Sequence, residues 1–230
     1  RINFQALDRP GNPLRMRLSS TVLSVAHDGA PDSADSVRLV YIRDGKFHAV
    51  RAKAVVMATG SWINRHVVRD LPINLADACS KFQYAPFLVA NVALNNWRFL
   101  YKLGISAAIW DRVDGDFGYT CNIRNPMQVG DYQPPLDPDK PVVLSFYTPF
   151  YYPGLTVAAQ GAKGGAELLT TSYHDYERQI YAQMMKLFGS SGFNPKRDVA
   201  GIILNRWGHA YSVPYPGFYG GKGGIAPRDV

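Results

Sequence analysis

Apolar and polar residues alternate cleanly from Val37 to Ile42, with Val37, Leu39 and Tyr41 on one face. Asp44-Gly45 follows, a dipeptide suited to a tight hairpin because both central positions need positive φ. The pattern therefore predicts a hairpin whose return strand runs from Phe47 to Ala52. A β-rich run, Ser20 to Ala26, precedes it, separated by a turn-rich stretch, Asp28 to Asp35. After the hairpin, Ala54 to Ala58 reads as a buried strand that stops at Thr59-Gly60. Residues 62–80 read as a helix broken at Leu71-Pro72, with Asn74 capping a second piece, Leu75 to Phe82.

Further strands are predicted over residues 85–95, over Val142 to Thr148 and over Val199 to Leu204. Residues 111–141 are rich in Asp, Gly, Pro and Asn, and predict an irregular excursion with short strands at most. The clearest helix spans 172–188. Ser172 and Asp175 form a capping-box arrangement, and Asp175 and Glu177 favour the start of the helix. Tyr173, Tyr176, Ile180, Met184 and Leu187 make its apolar stripe, Gly189 ends it, and Ser190-Ser191-Gly192 reads as its exit. Residues 205–230 carry aromatics, Gly and Pro and predict little regular structure. The succession of elements implies an α/β or α+β protein with two lobes.

Composition adds little to this picture and removes some alternatives. The 230 residues are 47% apolar, ordinary for a globular protein, and no run approaches the roughly 18 apolar residues of a membrane span. The net charge is +7, but the basic residues are spread singly, which argues against nucleic-acid binding. Cys79 and Cys121 lie far apart and read as two free thiols. The histidines lack the spacing of a metal pair. The chain starts at Arg1 and stops at Val230 without a recognisable signal, and reads as an internal piece of a longer protein.

Several stretches were weighed for chemistry. GAKGGAE (161–167) and YGGKGGIA (219–226) match no phosphate-loop pattern and read as flexible surface loops. No Gly-x-Ser-x-Gly elbow is present. Asp111, Asp114 and Asp116 lack a full calcium pattern and read as solvated acids. The stretch NRWGHAYSVPYPGFY (205–219) concentrates one Trp, three Tyr and one Phe beside a strand end. Such rings either wall a flat ligand or an amine, through cation attraction of roughly 0.5–2 kcal/mol each, or simply pack a coil on the core.

The order STVLSVAHDG, VRLVYIRDGKFHAVRA, AKAVVMATG resembles the middle of an FAD-dependent oxidoreductase with two dinucleotide-binding domains. YAPFLVANVALNNW resembles the start of the substrate domain in flavin amine oxidoreductases, and NRWGHAYSVPYPGFY their return segment, in particular that of spermidine dehydrogenase-like proteins. The resemblance implies that residues 1–80 belong to a discontinuous FAD domain. It makes 81–206 a substrate domain with a mixed sheet and a long helix, and 207–230 a return toward the FAD domain. It places Val22 by the adenine, Ala58, Thr59 and Gly60 along the flavin dinucleotide, and Trp207, His209 and Tyr211 near the active cavity. Asn91 stands where many relatives carry a lysine that holds a water, so that device is in doubt here. The Gly-x-Gly-x-x-Gly that seats the pyrophosphate is not in this chain, so the chain alone is expected to bind FAD weakly and to be inactive.

The implied function is oxidation of an amine, a polyamine such as spermidine, by hydride transfer to FAD, giving an imine that hydrolyses to an aldehyde. The partners are that amine and an electron acceptor no motif identifies. No catalytic residue stands out. Two rivals are an FAD enzyme acting on an amino acid or a carotenoid, and a non-enzymatic α/β binding domain.

Overall fold

Asp44 and Gly45 both take positive φ, 50° and 72°, so the predicted hairpin forms with the expected turn. The computed structural model describes residues 3–111, 116–123, 130–131 and 137–221. These fall into two units: residues 1–82 with 216–230, and residues 83–215. Mixed helices and two antiparallel sheets make the fold α+β.

The first unit holds a three-stranded meander, β1 (Thr21–His27), β2 (Val37–Arg43) and β3 (Lys46–Ala52). Tyr41, the buried residue of β2, stacks on His48 at 5.1 Å and accepts a hydrogen bond from Arg17 Nη1 at 2.7 Å. Asp8 gathers Arg15, Arg17 and Arg43 around one carboxylate. Arg17 is the strongest of these partners, and together the three hold the Asp8 carboxyl down at about 2. The broken helix resolves into α1 (Ser61–Val67) and α2 (Ile73–Lys81). The second starts from Pro72, not Asn74, and has no side-chain cap.

One predicted strand is absent. Residues 54–58 form no ladder, and Val56 is 88% exposed. An apolar run becomes a strand only when neighbours take up its N–H and C=O groups, and no described residue pairs with this one. Gly60 is instead the residue before α1.

The second unit is built on a five-stranded sheet: β4 (Tyr84–Leu94), β5 (Ala107–Ile109), β6 (Thr120–Ile123), β7 (Val142–Pro149) and β8 (Val199–Ser212). Its order is β5-β6-β7-β4-β8, and every ladder is antiparallel. Alternate residues of β4, Leu88, Ala90, Val92 and Leu94, are buried. They pack with Leu144 and Phe146 of β7 and with helices α3 (Arg98–Leu103), α4 (Val157–Thr170) and α5 (Tyr173–Phe188) in one core. Each fully buried side chain of this kind contributes about 1.5–3 kcal/mol. Within it, burial pushes the Cys121 thiol up to about 12, so it is inert at neutral pH; both cysteines are free.

Helix α5 follows the predicted stripe except at its start. Tyr176, Ile180 and Met184 are buried and Leu187 packs half-buried against the core, joined by buried Phe188, whereas Tyr173 is exposed. Ser172 caps it, accepting from Asp175 N at 3.1 Å and donating to the Asp175 carboxylate at 2.6 Å. Of the two acids expected at its start, only Asp175 lies in the first turn. Ser172→Ala is expected to lower stability by about 1 kcal/mol, read as a shift in the urea midpoint. An unchanged midpoint would count against the cap. Gly189 continues into a 3-10 turn, and the left-handed stop comes at Gly192, φ 98°.

GAKGGAE is not a loop. It lies inside α4, where Gly164 is buried. A Cβ there would stand 2.5 Å from Phe150 Cβ and 2.8 Å from Pro86 Cγ, and one at Gly161 would stand 2.8 Å from the Tyr84 carbonyl oxygen. These glycines let the helix backbone press against the sheet. The second glycine run continues beyond residue 221, outside the described residues. Asp114 is also outside them, while Asp116 is paired with Lys186 at 2.8 Å rather than solvated.

Candidate functional site

Strand β8 extends through Ser212, so the aromatic stretch expected to be irregular is instead half strand. A strand alternates its side chains, which sends Trp207, His209 and Tyr211 to one side and Arg206 to the other. Arg206 Nη1 donates to the carbonyls of Leu168 and Leu169, at 3.0 and 3.3 Å, at the C-terminal end of α4. Its guanidinium also sits 5.1 Å from the Tyr176 ring centre. That is a structural role: a cation on the free carbonyls of a helix end, backed by a ring.

The helices cover one face of the five-stranded sheet. The other face is open at its β8 edge, where Trp207 and Tyr211 are each 57% exposed, and closed at Phe87 and Ser145, which are buried. On it, Phe87 lies directly across from Trp207 in the β4–β8 ladder. The Phe87 ring meets Tyr211 edge-on at 5.3 Å and leans on Tyr147 of β7 at 6.1 Å. Tyr84 meets His209 edge-on at 5.5 Å. A cleft of about 260 Å³ results, lined by Phe87, Val89, Trp207, Ala210 and Tyr211. Beside it, Ser145 Oγ donates to Asn91 Oδ1 at 2.5 Å on the same face.

A register shift shapes this cleft. Ala85 pairs with Tyr211 and Phe87 with Trp207, so between these pairs one residue of β4 faces three of β8. Pro86 sits at the shift. It has no N–H to donate, which is why the ladder can loosen there. Trp207 and Tyr211 thereby come to face neighbouring positions of β4.

In the first unit, Val22 lies on β1 and is 36% exposed. Ala58 and Thr59 are exposed and Gly60 half-buried, in the segment that lacks a ladder. Thr59 Oγ1 donates to Asn64 Oδ1 at 2.5 Å. Gly60 has an ordinary extended backbone, φ −62° and ψ 142°, so it is not a glycine for reasons of φ. A Cβ there would stand 2.5 Å from Trp62 Nε1, so the indole would have to move aside.

The sequence-predicted residues thus form two sets, Val22 with Ala58–Gly60 in one unit and Trp207, His209 and Tyr211 in the other. Phe87, Val89, Tyr147 and Tyr84 were not anticipated. For Phe87, Val89 and Tyr147 the signal is the same alternation, since 87 and 89 lie opposite the buried 88, 90 and 92 and 147 opposite the buried 146 and 148; Tyr84 falls on the other phase, and alternation does not mark it.

No protein-family model and no curated protein matches the chain. Solved structures do. Cyclohexylamine oxidase from Brevibacterium oxydans IH-35A aligns at 14% identity with a TM-score of 0.47, over 81% of this chain and 33% of its own. A double mutant of putrescine oxidase, from a structure-based redesign of its cofactor binding, aligns at 10% identity with a TM-score of 0.48, over 84% of this chain and 36% of its own. The chain spans about a third of the length of each. Among the described residues, no helix is long and apolar enough to cross a membrane, and no cluster of His, Cys, Asp or Glu could hold a metal ion.

Proposed function

We propose that this chain is part of a flavin-dependent amine oxidoreductase, with residues 83–215 forming its substrate-binding domain. The observation that carries the reading is the aromatic cleft on the open sheet face, where Phe87, Trp207 and Tyr211 converge. Ring faces attract an ammonium group while their apolar edges hold its carbon skeleton. The order of β1, the β2–β3 hairpin, the Ala-Thr-Gly segment and β4 along the sequence supports the same reading.

FAD is the proposed cofactor. The residues that would meet it, Val22, Ala58, Thr59 and Gly60, fit a close-approaching planar group: 58–60 are small, Ala58 and Thr59 are exposed, and none of the three is in a ladder. Bound FAD supplies a hydride acceptor. The chain's own part is to hold the amine against rings that exclude water, with its carbon–hydrogen bond presented for transfer. The substrate loses a hydride and a proton to become an imine, and water then releases an aldehyde. A polyamine such as spermidine is the narrower substrate implied by the sequence resemblance, and nothing in the cleft's composition favours it.

The full-length protein is expected to be yellow and to bleach anaerobically when an amine is added. Protein that stays colourless after reconstitution with FAD would end the flavin reading.

A further inference from the structure

The five strands of the second unit's sheet hold one formally charged residue, Arg206, and it is committed to the helix side. The open face is made of Phe, Val, Asn, Ser, Tyr, Ile, Trp and His side chains from β4, β7 and β8. Among the described residues of these strands, no carboxylate stands on it. The chain as a whole carries +7.

Resting on the amine reading above, we propose that the cleft selects amines with a single positive charge on a compact apolar body and discriminates against di- and polyamines. One ammonium on ring faces gains roughly 0.5–2 kcal/mol per ring, more as water is excluded. A second or third ammonium on the same face meets no carboxylate among the described strand residues, so its lost hydration is not compensated there. The net positive charge of this chain also disfavours a polycation at long range. At about 260 Å³ the cleft lies just below the usual range of ligand pockets, roughly 300–1,000 Å³, which suits a single ring better than an extended chain. The neutral pair Ser145–Asn91 beside it offers polar atoms without charge.

The test titrates the full-length protein with benzylamine and with spermidine at pH 7, following the Trp207 indole resonance by NMR, assigned through Trp207→Phe. Benzylamine is expected to shift that resonance and to bind at least about tenfold more tightly than spermidine, with Tyr211→Ala weakening benzylamine selectively. Spermidine binding as tightly as benzylamine, or no benzylamine shift at Trp207, overturns the selectivity. The full-length protein separates the two claims. Flavin bleached faster by spermidine than by benzylamine overturns the selectivity and leaves the flavin reading intact. A protein without flavin that still prefers benzylamine does the reverse.

Discussion

Alanine at Gly164 is expected to destabilise the protein by about 2 kcal/mol, whereas alanine at the adjacent Gly165 stabilises it by about 0.5–1 kcal/mol. Both glycines lie inside the same helix, α4, so helix propensity favours alanine at each by roughly 1 kcal/mol. Their surroundings differ. The Cβ added at Gly164 meets Phe150 Cβ at 2.5 Å and Pro86 Cγ at 2.8 Å. Neither atom is the loose end of a side chain: one is next to the backbone, the other belongs to a ring in strand β4. The added Cβ at Gly165 meets nothing within 4 Å. The helix must therefore lift off the sheet in one variant and can stay in place in the other. Urea unfolding of the two single variants checks this, and midpoints that move in the same direction would show that the close approach does not govern stability.

Asp198→Asn is expected to cost about 3 kcal/mol at neutral pH and far less near pH 2. Asp198 is fully buried in α6 (Pro195–Asp198). Burial works against its ionisation, yet its donors outweigh burial and hold the carboxyl at about 2. They are Arg197 at 2.6 and 2.7 Å, Asn96 Nδ2 at 2.9 Å and the Asn194 backbone N–H at 2.8 Å. The folded value lies below the ordinary 3.8, so ionised Asp198 adds stability above about pH 4. That contribution, about 2 kcal/mol at 1.36 kcal/mol per pH unit, fades as pH falls through about 2. An amide also turns a donor toward groups that are themselves donors. Urea midpoints for parent and variant at pH 7 and pH 2 test the sign, because acid loss at Asp8 is common to both and cancels in the difference. A gap that stays constant between the two pH values would contradict it.

The local signals that proved legible were those that act within a few residues. Asp44-Gly45 set its own turn, and Ser172 its own cap, because both need only nearby backbone. The failures came where a partner far along the chain decides. Residues 54–58 have a strand's composition but pair with none of the described residues. GAKGGAE has a loop's composition, but its glycines answer to Phe150, Pro86 and Tyr84, which no local pattern announces. In NRWGHAY the aromatics drew attention to ligand binding, but the alternation of Trp207, His209 and Tyr211 at every second residue was the clue to a strand. Reading that period would have placed Arg206 on the far side, whereas Phe87 opposite Trp207 follows from the β4–β8 register, which the period does not set.

The loosened ladder at Pro86 has a consequence for how the cleft can vary. The shift adds an even number of residues to β8 relative to β4, so alternation resumes in phase and Tyr211 returns to the face that Trp207 occupies. The gap between the two rings is thus fixed by main-chain pairing and by one imino acid, not by the rings themselves. Side chains at 207 and 211 can be exchanged, altering what the walls attract, while the distance separating those walls stays the same.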